Sequence, residues 1–291
     1  MKTYSDITIH HPFSSSVQKE KYLLSYNGQY YEASHAIVEL VEELQRYEEE
    51  KAAIEAYVRK KEGKYTPEQV REVIEKFIDP IFRAVPKKRS FLYEKELFSA
   101  GAIDRFSDTF RFLFHKAYMM VVLVGMLALD TWFFFTTSDL LLFNNKVNIY
   151  MVAGLLVFMF ASSFFHELGH ASACKYFGVR HGGIGFGLYL NFPVLYTDVT
   201  EVWKLNRAQR CVVNLAGVYF QSYWLIALLV AFLITGNDIL RYLILIMNLG
   251  FVMTLNPFFK FDGYWIASDL LGVPNLRQRS LECKYSANYR Y

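Results

Sequence analysis

Between Phe158 and Phe177 the chain reads FMFASSFFHELGHASACKYF. Three groups that need polar partners, His166, Glu167 and His170, interrupt a stretch otherwise suited to an apolar environment. On an α-helix, positions i and i+4 share a face, so both imidazoles can converge on one cation. Glu167 stands beside the first ring and off the point of convergence, where its carboxylate can take a proton from water. The five residues His166 to His170 thus fit H-E-x-x-H, whose chemistry is metal-assisted hydrolysis. The pattern alone also describes two hydrogen-bonded histidines of an ordinary helix. Its surroundings weigh against that, because ionisable groups in an apolar span are costly and normally mark function or a partner.

A catalytic zinc site takes three protein ligands and keeps a fourth position open. Cys174 continues the i+4 series, but it lies eight residues beyond His166, about 12 Å along a helix axis. Zinc bonds of about 2 Å cannot bridge three successive turns, so Cys174 reads as a packing residue. The stretch LNPFFKFDGYW offers a better third ligand in Asp262, which follows a break marked by Asn256-Pro257 and Gly263. Non-helical backbone at membrane depth is tolerated where it is buried in protein or lines a wet cavity. A carboxylate delivered there can complete a His-His-Asp site for one Zn2+ per chain.

These residues need elements to hold them. Of 291 residues, 53% are hydrophobic and 18% aromatic, with a net charge of +3, which suits neither a disordered chain nor a nucleic-acid binder. Three widely spaced cysteines, Cys174, Cys211 and Cys283, form neither a disulfide framework nor a zinc ribbon. The first 18 residues are polar and do not form a signal peptide. Charges concentrate in 1–116, whereas 117–271 holds four apolar runs, about 117–136, 148–171, 212–234 and 239–259. Each is close to the roughly 20 residues that cross a bilayer. Lys and Arg cluster before the first run, between the second and third, and after the fourth, which predicts a multi-pass protein of the cell membrane with both termini cytoplasmic. The loop 172–211, with its basic residues, would then be the route of water to the metal. Asp130, inside the first run, reads as a helix-packing residue.

The expected fold is therefore an all-α polytopic membrane protein of about four transmembrane helices, with a short membrane-associated β-hairpin. A small, mainly helical cytoplasmic domain precedes it over 1–116. In that domain YLLSYNGQYY predicts a hairpin turning at Asn27-Gly28. One helical run follows from Ser34 to Gly63, then a helix capped by Thr66 with Pro67 first, burying Val70, Val73, Ile74, Phe77 and Ile78. The domain loosely resembles winged-helix-like peptide-recognition domains. A first helix and loop occupy 117–146, the catalytic core 147–271, and a cytoplasmic tail 272–291.

The pairing of HELGH in one span with NPFFKFDGY after a later one resembles the site-2 protease family of intramembrane zinc metalloproteases. The stretch NPFFKFDGYWIASDLLGVPNLRQRS is most similar to the peptide zinc metalloprotease branch of that family. The likeness covers roughly 147–280, about half the chain. It implies that His166, His170 and Asp262 hold zinc, that Glu167 is the general base, and that a peptide bond is hydrolysed. The glycine-rich GVRHGGIGFGLYLNFPVLYTDV resembles the family's membrane-associated hairpin, so Gly185 and Gly187 would lie on an edge that takes up a substrate strand. Family members carry Gly-Pro-x-x-Asn between the ligand-bearing spans; here the text is GVYFQ. Gln221, or Asn214 one turn earlier, would then offer an amide to substrate, and Asn256 is a further candidate. His181 reads as a loop residue and Lys260 as a snorkelling one.

The resemblance implies a membrane-associated or precursor peptide as substrate, the lipid bilayer as surroundings, and a peptide-modifying enzyme or exporter as partner. No nucleic acid is expected. Two other classes fit the same residues: an inactive zinc-binding membrane protein that assists peptide export or immunity, and a zinc hydrolase acting on lipids.

Overall fold

Asn27 and Gly28 turn the chain between strands β2 (Gln18–Tyr26) and β3 (Gln29–Ser34), with Tyr26 facing Gln29. Both residues take left-handed backbone angles, φ 48° and 72°, in the two-residue turn that this dipeptide favours. β1 (Thr8–Ser15) adds antiparallel to β2. The computed structural model describes residues 4–15, 18–83, 91–138, 140, 149–189 and 192–271. Contacts divide the chain into two units, Met1–Arg89 and Ser90–Tyr291.

In the first unit the single helical run expected after Ser34 is two helices, α1 (His35–Arg46) and α2 (Glu50–Lys60), separated by an extended Tyr47. An unbroken helix would carry Ala53 about 22 Å beyond Val38. The break instead brings Val38, Val41 and Leu44 together with Ala53, Ile54 and Tyr57 in one buried cluster. Ser34 occupies the cap position without a side-chain capping bond. Thr66 forms the full capping box with Gln69 ahead of α3 (Pro67–Val73). A π-helical turn, Ile74–Ile78, then leads into α4 (Asp79–Arg83). Pro80 has no N–H for the regular ladder, and such bulges accommodate the lost bond. Phe77, expected inside, is exposed as a result of this altered winding.

The second unit begins earlier than the sequence suggests. Residues 91–114, expected in the N-terminal domain, form β4 (Phe91–Phe98) and α5 (Ala100–Phe110) and belong with the metal-site half. Three helices among the described residues are long and apolar enough to cross a membrane: α6 (Lys116–Thr136), α7 (Ile149–Tyr176) and α8 (Arg207–Thr235). Leu156, Val157 and Phe160 of α7 point outward, as lipid-facing side chains do. The fourth apolar run gives α9 (Asp238–Thr254), 17 residues, at the lower limit of a span. It stops at Thr254 because Pro257 and the residue before it disfavour helix. α10 (Asp262–Leu271) follows.

α8 is the central helix. One side of it packs Val213, Ala216, Tyr219 and Phe220 against Leu168, Ala171 and Cys174 of α7 and Ile103 of α5. The other packs Val218, Leu225 and Leu229 against Met126 and Phe133 of α6 and Ile244, Met247 and Phe251 of α9. Asp130 of α6 accepts a hydrogen bond from Asn248 of α9 at 2.9 Å, which pairs the carboxylate within this apolar contact. The expected hairpin is present as β5 (Ile184–Tyr189) and β6 (Phe192–Thr197), but β4 extends it to a three-stranded sheet of order β4-β5-β6.

Candidate metal centre

Close approach of α7 and α8 builds the site. A Cβ on Gly169 would collide with the carbonyl of Ala216, and one on Gly217 would enter the His166 ring. Small residues let two apolar helices approach closely, and at Gly217 the space released is filled by an imidazole.

α8 also sets both rings. His170 Nδ1–H donates to the Val213 carbonyl at 2.7 Å, and His166 Nδ1–H donates to Gln221 Oε1 at 3.1 Å. The amide of Gln221 is itself oriented, because its Nε2 donates to Ser162 Oγ at 2.9 Å. With both Nδ1 atoms donating to oxygens, each neutral ring turns an unprotonated Nε2 inward. The two Nε2 atoms lie 3.1 Å apart.

The third group comes from the far end of the unit. After α9, Asn256 Oδ1 accepts the Phe258 N–H at 2.9 Å and shapes the break. Gly263 packs so tightly on Leu255 that any Cβ would collide with its backbone. This delivers Asp262, the first residue of α10, with Oδ2 3.1 Å from His166 Nε2 and 3.4 Å from His170 Nε2. That oxygen is buried without a hydrogen-bond partner. Three acceptor atoms therefore face one point. Neutral rings leave them mutually repulsive, and only a cation or an added proton resolves the conflict.

The spacing fits zinc. A tetrahedral ion with bonds of about 2.0–2.1 Å separates its ligand atoms by about 3.3 Å, and the three observed edges are 3.1, 3.1 and 3.4 Å. Three ligands leave one position open, as catalytic zinc sites do.

The chain is similar to a zinc metalloprotease relative. A protein of Bacillus subtilis (strain 168), named "Putative peptide zinc metalloprotease protein YydH", is 29% identical to it over 125 residues, 38% of this chain and 49% of the relative. The chain thus spans about half the length of that curated relative. No family model matches the chain. No solved structure matches it significantly.

Of the residues expected at the site, the structure brings His166, His170 and Asp262 together. Glu167 is buried next to them on α7, and its backbone carbonyl accepts the Thr197 hydroxyl of β6 at 3.2 Å. The residues expected to bind substrate have other partners. Gln221 holds His166, Asn214 donates to Asp269 at 3.4 Å, and Asn256 bonds within its own turn. Gly185 and Gly187 lie on β5, the middle strand, with β4 on one side and β6 on the other, so neither presents an open edge. Cys174 is buried in the core, as expected. His181 is buried too, bonded to Ser107 of α5 at 3.0 Å.

Gln221 is thus an orienting residue, a role that the sequence did not suggest. Replacing it with Leu removes the acceptor that fixes the His166 tautomer. Outer-shell partners of this kind typically contribute ten- to hundredfold in metal affinity. Zinc titration of Gln221→Leu against a competing chelator should show a loss of that size, with His170 still bound to Val213. Unchanged affinity would remove Gln221 from the site.

Proposed function

We propose that the chain is a membrane zinc metallopeptidase in which His166, His170 and Asp262 hold one zinc ion and Glu167 is the general base. The observation that carries this reading is the convergence of three potential ligand atoms at zinc-compatible spacing, one of them a buried carboxylate oxygen with no hydrogen-bond partner. The name of the Bacillus subtilis relative supports the same chemistry.

When bound, zinc polarises a carbonyl and brings the pKa of water towards neutrality. The protein's own residues do the rest. Val213 and Gln221 hold both rings with Nδ1 turned outward and Nε2 aimed at the metal. Glu167 accepts the proton of the attacking water and returns it to the leaving amine. Burial of the site in apolar helices strengthens each of these electrostatic interactions.

The substrate is an extended peptide, from a precursor or from the membrane, because main-chain groups are what an unfolded segment always offers. With β5 paired on both sides, the strand that receives it is β6, whose Thr197 is bonded to the backbone of Glu167. Charge distribution supports a multi-pass arrangement with both termini cytoplasmic, and the resemblance of HELGH and NPFFKFDGY to peptide zinc metalloproteases favours a peptide-modifying enzyme or exporter as neighbour.

In detergent, the zinc-loaded chain should cleave a library of labelled precursor-like peptides and leave labelled lipids intact, with cleavage lost to a chelator and restored by zinc. Lipid hydrolysis would replace this reading with the lipase alternative. Tight zinc binding with no cleavage of any peptide would favour the inactive binding protein.

A further inference from the structure

α10 is ten residues long and joins α9 through a break whose Phe258, Phe259 and Lys260 are exposed. A helix that short is not stable alone and needs tertiary contacts to hold its place. Its first residue is Asp262, and seven residues later comes Asp269. Seven residues make two turns, about 10.5 Å, and return to the same face.

Asp269 meets a dedicated receptor on α8. Arg210 Nε donates to Asp269 Oδ1 at 2.8 Å, Arg210 Nη2 lies 2.6 Å from the same oxygen, and Asn214 Nδ2 donates to Oδ2 at 3.4 Å. Arg210 also donates through Nη1 to the Leu205 carbonyl at 3.2 Å, and its guanidinium sits over the Trp203 ring. Arg210, Asp269 and Asn214 are only 5, 8 and 9% exposed. A buried ion pair is a poor route to stability alone and a costly one to break, so its placement calls for a purpose.

The placement suggests one. Arg210, Asn214, Gly217 and Gln221 follow i, i+4, i+7 and i+11 along α8, one stripe of that helix. The lower half of the stripe grips α10. The upper half seats His166 against Gly217 and bonds it through Gln221.

We propose that Arg210, Asn214 and Asp269 are positioning residues that fix the register of α10 on α8, and so bring the Asp262 carboxylate to the two rings already aligned by the same face of α8. The proposal rests on the zinc reading above. It adds a lock, outside the ligand set, that sets metal affinity without touching the metal.

The test uses the full chain in detergent, with zinc affinity measured by chelator competition and cobalt substituted as a spectroscopic probe. Asp269→Asn removes the charge and keeps the shape; it should weaken zinc about ten- to hundredfold and alter the visible cobalt bands in the monodisperse, folded fraction. Arg210→Lys and Asn214→Ala should do the same to a smaller degree. Asp262→Ala is run alongside. If Asp262→Ala loses zinc while Asp269→Asn keeps both parental affinity and cobalt spectrum, the lock is overturned and the metal site stands. If Asp262→Ala keeps zinc, the metal reading falls and the lock with it. Should Asp269→Asn not fold, unchanged affinity and spectrum in both milder variants overturn the lock.

Discussion

Glu167→Gln should bind zinc like the parent chain and cleave peptide about 10²–10⁴-fold more slowly, the range that a positioned acid–base group contributes. The amide is nearly isosteric and adds no charge, so the helix and the neighbouring His166 keep their geometry. It cannot accept a proton from water. Two measurements are needed together: zinc stoichiometry, expected to be unchanged, and single-turnover cleavage, expected to collapse. Full activity in the variant would remove the general-base role. Loss of zinc in the variant would show that Glu167 belongs to the coordination set and not beside it.

Asp262→Ala should lose tight zinc binding altogether, a larger effect than any outer-shell change. The substitution leaves two rings from one helix, and two imidazoles alone do not make the three-ligand set of a catalytic site. Zinc stabilises a folded protein according to RT ln(1 + [L]/Kd). The parent chain should therefore melt at a rising temperature as zinc is added, while Asp262→Ala shows little or no rise over the same range. Acid should mimic the variant. Neutral imidazole is the ligand form, so acid competes with the metal for the rings and releases it. A zinc-dependent rise that survives in Asp262→Ala would overturn the His166–His170–Asp262 site.

The candidate ligands were legible because each is marked by a local signal. His166 and His170 share a helix face by spacing alone, and Asp262 follows a break that Asn256 and Pro257 announce. The apolar runs, the Asn27-Gly28 turn and the Thr66 cap are local in the same sense: their physics acts within a few residues. α7 nevertheless runs on to Tyr176, past the expected end at 171, because Ala171 to Tyr176 continue to suit a helix.

The long-range assignments went differently. Nothing in FLYEKELF marks a strand, since Glu, Lys and Leu favour helices as readily. β4 exists because Phe91–Phe98 pairs with β5, roughly ninety residues away. That pairing places Gly185 and Gly187 mid-sheet and leaves β6 as the strand next to Glu167. Gln221 and Asn214 were read as amides for a substrate, for residue type alone cannot say which neighbour an amide will meet. Packing gave Gln221 to His166 and Asn214 to Asp269.

Local periodicity and composition thus determined the apolar helices, the H-E-x-x-H face and the pool of candidate ligands. Tertiary structure decided how those ligands are aimed, because orientation depends on partners that the chain brings in from tens of residues away. The stripe Arg210–Asn214–Gly217–Gln221 is regular in the sequence, yet its meaning appears only when α7 and α10 lie against it.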